Sequence, residues 1–516
     1  KAGHYPLWGL TYFRWWLYER LSEIPALYLL AGSSLNNLYL RALGAKIGHD
    51  VMIGSAFVRV PHLFSLGDEA DIGNGVNIEN AYVENDELFL GEVQIGARAF
   101  VGSYAVVQGN SQIEDDGLLE GLSALSIGDK LPSHQIWGGS PAEYMGERPK
   151  HRHAPRPSLS DVRLRLEHFY YLLGACFIAC LFFLPIFPSF MLIDYLDSNW
   201  FNVTDGDFGV FTKSTLIYFA LGLPASVVLL FATTIISSLL RRVLLFKPIV
   251  AGTYPTHSGL YYRKWLTNQI QESSLNVLHG LYATVYAPSW FRLLGATIGQ
   301  DAEISTAMGV VPDMLTLGDD SFIADGVMLG DEHIEGGWMT LRPTVVGSRS
   351  FVGNGAYVPD GRIIPDDVLI GVQTSCPPNA KLDHGQTWIG LPPMILPMRE
   401  KALEFDKTLT FRPTIFRRMG RGLIEGLRII LPMSFAIITG YFTVLEVMPF
   451  AEDEQWLSVL GMLALCGIIY GLISFGVIWL LKWLLIGRYK PRAQPMWTVF
   501  VWFSEAVTSM YESITV

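Results

Sequence analysis

Charge is scarce in this chain, and cysteine scarcer. Asp, Glu, Lys and Arg make up 16% of its 516 residues, against 50% hydrophobic and 13% aromatic. Soluble domains carry about 25% charge, so the composition excludes an ordinary soluble globule and points to membrane segments. Of the four cysteines, Cys176, Cys180 and Cys466 lie in apolar runs and Cys376 stands alone. No spacing suits a zinc site or a disulfide framework. The first three read as small buried hydrophobes, and Cys376 as a thiol with no counterpart in the matching stretch of the first repeat. There is no initiating methionine and no signal-peptide pattern at Lys1. The stretch ending at Val516 is aromatic and amphipathic, so the expectation is a piece of a longer polypeptide. No basic patch interleaved with aromatics appears, which leaves nucleic acid out as a partner.

Four stretches lack any charged side chain: 169–193, 214–240, 429–445 and 456–481. Three exceed the ~20 residues that cross a hydrocarbon core. The third becomes long enough only by taking in Glu425 and Arg428. Two transmembrane hairpins are expected, at 165–245 and 423–485. Lysine and arginine are missing from the loops inside them, DYLDSNWFNVTDGD (194–207) and EVMPFAEDE (446–454). The outer flanks are basic, with KHRHAPRPSLSDVRLR (150–165) before the first hairpin and Arg241, Arg242 and Lys247 after it. The positive-inside bias puts the remaining domains in the cytoplasm, with the plasma membrane as the expected bilayer.

The sequence repeats. KAGHYPLWGLTYFRWWL (1–17) matches VAGTYPTHSGLYYRKWL (250–266), RALGAKIG (41–48) matches RLLGATIG (292–299), and HQIWGGSPA (134–142) matches HGQTWIGLPP (384–393). A third copy begins at KPRAQPMW (490–497). Repeats of this kind announce an array. Within each copy the aliphatic residues step by six. The first gives Ile47 and Ile53, then Leu66, Ile72 and Ile78, then Ile95, Val101, Val107, Ile113 and Leu119. The second gives Ile298 and Ile304, then Leu317, Ile323 and Leu329, then Val346, Val352, Val358, Ile364 and Ile370. Six is neither a helix period nor the period of a long strand. Short strands joined by tight turns, three to a coil, stack each aliphatic side chain on its counterpart. The expected fold is a left-handed parallel β-helix of hexapeptide repeats, in tandem, alternating with transmembrane α-helical hairpins. The phase slips over 79–94 and 330–345, where a loop must leave the coil.

The domain boundaries follow. Residues 1–40 are amphipathic, aromatic lead-in helices and 41–150 the first β-helix. Residues 250–291 are the second lead-in and 292–400 the second β-helix. Residues 490–516 open the third repeat.

Hexads with an extruded loop and a closing W-x-G-x-P (Trp137–Pro141, Trp388–Pro392) resemble the hexapeptide acyltransferases. The fuller pattern adds R-x-L-G-A-x-I-G, LGD and FVG, with hairpins between copies. It resembles the membrane-bound C-terminal region of ε-poly-L-lysine-synthetase-like nonribosomal peptide synthetases. That resemblance implies amide (isopeptide) bond formation between amino-acid monomers such as lysine, delivered as carrier-protein thioesters. It implies phosphopantetheine on a carrier domain and ATP at an adenylation domain, both outside this chain. It also implies a third β-helix completing an intramolecular pseudo-trimer with sites in the clefts between coils.

Acyl transfer to an amine needs a base, a stabilised oxyanion and alignment. By the same resemblance the base is a histidine near the extruded loop. His333 lies there beside Asp331, Glu332 and Glu335, and a carboxylate can fix an imidazole tautomer. Asn354, after FVG, is a candidate for holding a carbonyl. His333, Glu332, Asp331 and Asn354 are thus the catalytic candidates. Substrate-binding candidates are Glu335 in the second loop, Glu79, Asn80, Tyr82 and Glu84 in the first, and the closing Trp137 and Trp388. The first loop has no histidine, and Ser103 replaces Asn354. No metal is expected. The loop residues also read as a solvated polar surface.

Residues 44–142 hold fourteen acids against four basic residues. An acidic cleft would attract a cationic monomer or polymer. Two other readings remain at this point. One is a membrane acyltransferase using acyl-CoA on a sugar, lipid or amine. The other is a non-catalytic scaffold or export element. Homo-oligomerisation is left open.

Overall fold

The six-residue ladder closes into coils because its strands are too short to do anything else. In the computed structural model, which describes residues 1–23, 27–149, 155–157, 159–201, 213–377, 381–399 and 405–515, the strands of the first copy fall in rotation onto three parallel sheets. Lys46–Ile47, Phe64–Leu66, Val93–Ile95, Gln112–Ile113 and Lys130–Leu131 make one face. Met52–Ile53, Asp71–Ile72, Phe100–Val101, Leu118–Leu119 and Gln135–Gly138 make the second. Ala56–Val58, Val76–Glu79, Val106–Gln108 and Ala124–Leu125 make the third. The second copy repeats the scheme, with Ile323 beside Val352 and Val352 beside Ile370.

Every aliphatic residue of the two ladders is buried, so the hydrophobic term is collected inside the coil. Glycine serves where successive coils touch. A Cβ on Gly102 would lie 2.4 Å from the Gly121 nitrogen, which no side chain can occupy. Left-handed corners fall to residues such as Asp116 and Asp367. Each also takes a two-pronged ion pair from the coil below, Arg98 to Asp116 and Arg349 to Asp367.

The extruded loops are antiparallel hairpins, Ala81–Glu84 with Glu87–Leu90 and His333–Glu335 with Trp338–Leu341. The lead-ins are more than helices. Gly3–Pro6 and Gly252–Pro255 add a third strand to these hairpins, and helices Leu10–Glu23 and Gly259–Leu278 follow. A four-residue strand beside aromatic helical sequence carries too little periodicity to be read in advance.

The chain divides into two compact units. One contains Lys1–Ala179, Leu240–Ser273 and Phe291–Arg399, and so holds both β-helices; the other contains Cys180–Leu239, Ser274–Trp290 and Glu400–Val516. Four helical spans, Val162–Phe201, Leu216–Leu244, Ile415–Glu452 and Trp456–Leu485, are long and apolar enough to cross a membrane. Helix takes up part of both acid-rich stretches expected as loops between them. Helix continues through Leu196 into a π turn at Asp197–Phe201, and 202–207 lie outside the described residues. Helix likewise runs on to Glu452. Most of the basic stretch at 150–158 is also outside the described residues.

The second unit explains how charges enter the third span. Arg421 and Glu425 are buried and 2.7 Å apart. The second Glu425 oxygen accepts from Val285 N, and Arg428 donates to the Tyr282 carbonyl. Charges in so apolar a helix persist where they are paired like this. Deeper along the same helix, Ser434 meets Ser226 at 3.2 Å and Tyr441 stacks on Tyr218 at 5.1 Å.

Candidate functional site

The second hairpin does not end in solvent. Its tip is gripped by the first β-helix. Gly336 N donates to Asp71 at 2.6 Å, Arg156 also pairs with Asp71, and Arg148 reaches Glu335 at 2.6 Å. Thr256 N closes the other side on the Gly337 carbonyl. The hairpin is thereby laid along the first coil, and a cleft of about 180 Å³ opens between the two β-helices. Phe100, Ser103 and Glu120 line it from the first copy, and Asp331, His333 and Tyr357 from the second.

His333 sits at the centre of this contact. Its Nε2 is 3.0 Å from Glu335 Oε2, and its ring lies 5.2 Å from that of Phe100. Burial opposes the charged imidazole, but the hydrogen bond and charge of Glu335 outweigh it and raise the pKa above the ordinary value. Asp331 is buried, which pushes its carboxyl up to about 7 despite a hydrogen bond from Ser103. Its Oδ2 finds no hydrogen-bond partner among the described residues. Glu332 points the other way and pairs with the buried Lys264 at 2.7 Å. Arg342 makes a two-pronged pair with the buried Asp360 at 2.8 Å on the far wall.

Asp331, Glu332, His333 and Glu335 therefore come together around one cleft. The other candidates do not join them. Asn354 is exposed at a corner of the second coil and outside the cleft lining; its counterpart Ser103 is the one that lines it. Asn80 is fully buried and bonds both the nitrogen and the carbonyl of Val60, at 2.9 and 2.8 Å. Glu79 accepts from Gln108. Tyr82 and Glu84 belong to the first hairpin, away from His333's cleft. Trp137 and Trp388 close the ends of their coils, each with its indole nitrogen on a neighbouring glutamine. Cys376 lines the cleft, but burial pushes its thiol up, against the pull of Arg362, which suits a packed side chain better than a nucleophile.

Sequence reasoning missed Arg148, Lys264, Tyr357 and Asp360. One signal was available. Lys264 falls in the lead-in where the first copy has Trp15, and a lysine replacing a tryptophan in an aromatic helix calls for a buried partner.

Across all its residues the chain is 51% identical to the delta-poly-L-ornithine synthetase of Acinetobacter baumannii (strain AB307-0294), and it spans 38% of that protein's length. No family model matches the chain. Among solved structures, it resembles a galactoside acetyltransferase in complex with coenzyme A (12% identity, 31% of this chain and 95% of that one, TM-score 0.24). It also resembles a maltose O-acetyltransferase from Clostridium difficile 630 (13% identity, 29% and 94%, TM-score 0.23). Those likenesses are too partial to speak to its chemistry. The likeness to the synthetase runs the whole length of this chain, which is homologous to a segment of that longer protein.

Proposed function

We propose that this chain is the membrane-anchored, amide-forming region of a synthetase that polymerises a cationic amino acid. Its β-helices wind left-handed, alternate with transmembrane hairpins and face the cytoplasm of the producing cell. The donor is an aminoacyl thioester presented by a carrier domain elsewhere in the parent protein. The acceptor amine attacks the thioester carbonyl, the C–N bond forms, the C–S bond breaks, and the thiol leaves with a proton. His333 takes the proton from the amine. Glu335 fixes the ring so that Nδ1 is left for the substrate. Asp331 offers its unpaired oxygen to the second ammonium of the monomer. Ornithine, named for the relative, is such a monomer, and lysine is another.

The single observation that carries this reading is the His333–Glu335 pair held in a cleft between two coils, with a buried carboxyl beside it that has one oxygen unpartnered among the described residues. The repeat supports a further step. The face of the first coil that carries Phe100 and Gly121 is covered by the second copy, His333 against Phe100 and Tyr357 against Gly121, with Phe100 7% exposed. The equivalent face of the second coil leaves Phe351 37% and Val372 64% exposed. A third β-helix, laying its own hairpin there, completes the pseudo-trimer and brings Asn354 into a cleft of its own.

The test is His333→Ala in the full-length protein, supplied with a pantetheine thioester of ornithine or lysine. Amide formation is expected to fall at least about 100-fold, the usual worth of a general base, while amino-acid activation upstream continues. Unchanged polymer yield would remove His333 from the chemistry.

A further inference from the structure

We propose that Arg148, from the first repeat, is a positioning residue for His333 of the second, acting through the carboxylate that both of them hold. This rests on the reading of His333 as the base. The geometry is a relay. Glu335 gives Oε1 to Arg148 at 2.6 Å and Oε2 to His333 at 3.0 Å. Arg148 and Glu335 are both less than a tenth exposed, so neither carries its charge into bulk water. Arg148 is itself fixed from behind, because its Nη1 donates to the carbonyls of Arg98 and Gly117. The arginine is thus anchored on the first coil and aims one nitrogen across the cleft.

A comparison inside the chain isolates this reach. Arg399 stands at the matching place in the second copy, eleven residues beyond Trp388 as Arg148 is eleven beyond Trp137. It too holds its own coil, through the carbonyls of Asp367 and Gln386 and the hydroxyl of Thr387. None of those contacts leads to a catalytic loop. Coil-end anchoring is therefore common to both arginines, and the grip on a hairpin glutamate belongs to Arg148.

Two things follow. Arg148 turns the Glu335 carboxylate so that one oxygen meets the imidazole. Its positive charge also offsets part of the field that Glu335 exerts on His333. The other groups around His333 are Asp331 on its own loop, Arg342 and Asp360 from the second coil, and Glu120 from the first, while Glu332 is turned to Lys264. Asp71 and Arg156 pair at the hairpin tip. Without Arg148 the carboxylate is no longer shared, so His333 holds its proton more tightly. A base must lose its proton to act, so the acidic limb of the rate profile moves to higher pH.

The experiment measures kcat/KM for amide formation against pH in the full-length protein, with a pantetheine thioester of a basic amino acid as donor. Arg148→Met is expected to move the acidic limb up by roughly one pH unit, ten-fold in the deprotonated fraction below it. Arg148→Lys, which keeps the charge, is expected to restore the limb. Arg399→Met, which removes a coil anchor alone, is expected to lower the amount of folded protein without moving the limb. An unmoved or lowered limb in Arg148→Met overturns the proposal, and so does an equal shift in Arg399→Met. Failure of the underlying reading looks different, since His333→Ala would then remain active.

Discussion

The chain builds the same hairpin twice and fills it in two ways. In register, Tyr82 stands where the second copy has His333, Asn80 where it has Asp331, Ala81 where it has Glu332, and Glu84 where it has Glu335. Beneath the first hairpin Ala81, Leu88 and Leu90 pack with Val60, Leu63, Tyr5, Tyr12 and Trp15. Beneath the second, the Trp15 position is Lys264 and the Ala81 position is Glu332, joined as a buried ion pair. The backbone frame, the third strand and the coil below are shared. What differs is whether the buried space is apolar or charged. A frame held by backbone pairing and an aliphatic core can lose its chemistry without losing its shape, which is how fused repeats come to specialise.

The hardest blow to that contrast falls on Lys264. Lys264→Met leaves the half-buried Glu332 beside Asp331 without the lysine that pairs with it. Stranding one member of a buried pair costs about 3–5 kcal/mol, so a marked fall in Tm of the solubilised full-length protein is expected. Replacing both partners by the first copy's residues, Lys264→Trp with Glu332→Ala, is expected to recover most of the stability and none of the amide-forming activity. If the double variant polymerised normally, the charged filling would have no bearing on function.

A smaller effect is expected at Asn80. Its amide bonds both ends of the Val60 peptide, acting as one rung of a ladder where no strand runs. Asn80→Ala strands a buried donor and a buried acceptor, a loss of about 1–3 kcal/mol. An aspartate in its place can accept but, when ionised, cannot donate. Asp331 holds the same position in the second copy, and one of its oxygens has no hydrogen-bond partner among the described residues. Urea titration of Asn80→Ala and Asn80→Asp should show both destabilised. A stable Asn80→Asp would mean that the carboxylate is accommodated there as readily as the amide, and the difference between the copies would need another cause.

Much of this architecture is legible from residue spacing. The period of six gives the coil, since each ladder residue from Ile47 to Ile370 must point inward, and the break in phase gives the loop. The charge-free runs give the four helices long and apolar enough to cross a membrane. The strand Gly3–Pro6 is hidden because four residues beside an aromatic helix show no period. The site is legible only within one copy. His333 with its three acids is contiguous in sequence, so its chemistry can be proposed from the string. Arg148 is 187 positions from Glu335, and no local pattern links residues that meet only because two coils lie side by side. Asn354 fails as a partner of His333 for the same reason. It stands on the matching corner of its own coil, but it is outside the lining of this cleft, where Ser103 of the other copy stands.

The least perturbing change should be Glu84→Cys. Glu84 holds the position of Glu335, yet it is exposed and lies outside the cleft that contains His333. If the working chemistry sits in that one cleft, the variant polymerises at the unaltered rate. The same cysteine reports on the side of the membrane. A charged, impermeant maleimide added to intact cells should leave it unlabelled, and should label it once the cytoplasm is opened. Labelling of intact cells would invert the orientation drawn from the basic flanks. A large loss of rate would place chemistry at the first hairpin, and Tyr82 would then have to serve without the proton affinity of the imidazole it replaces.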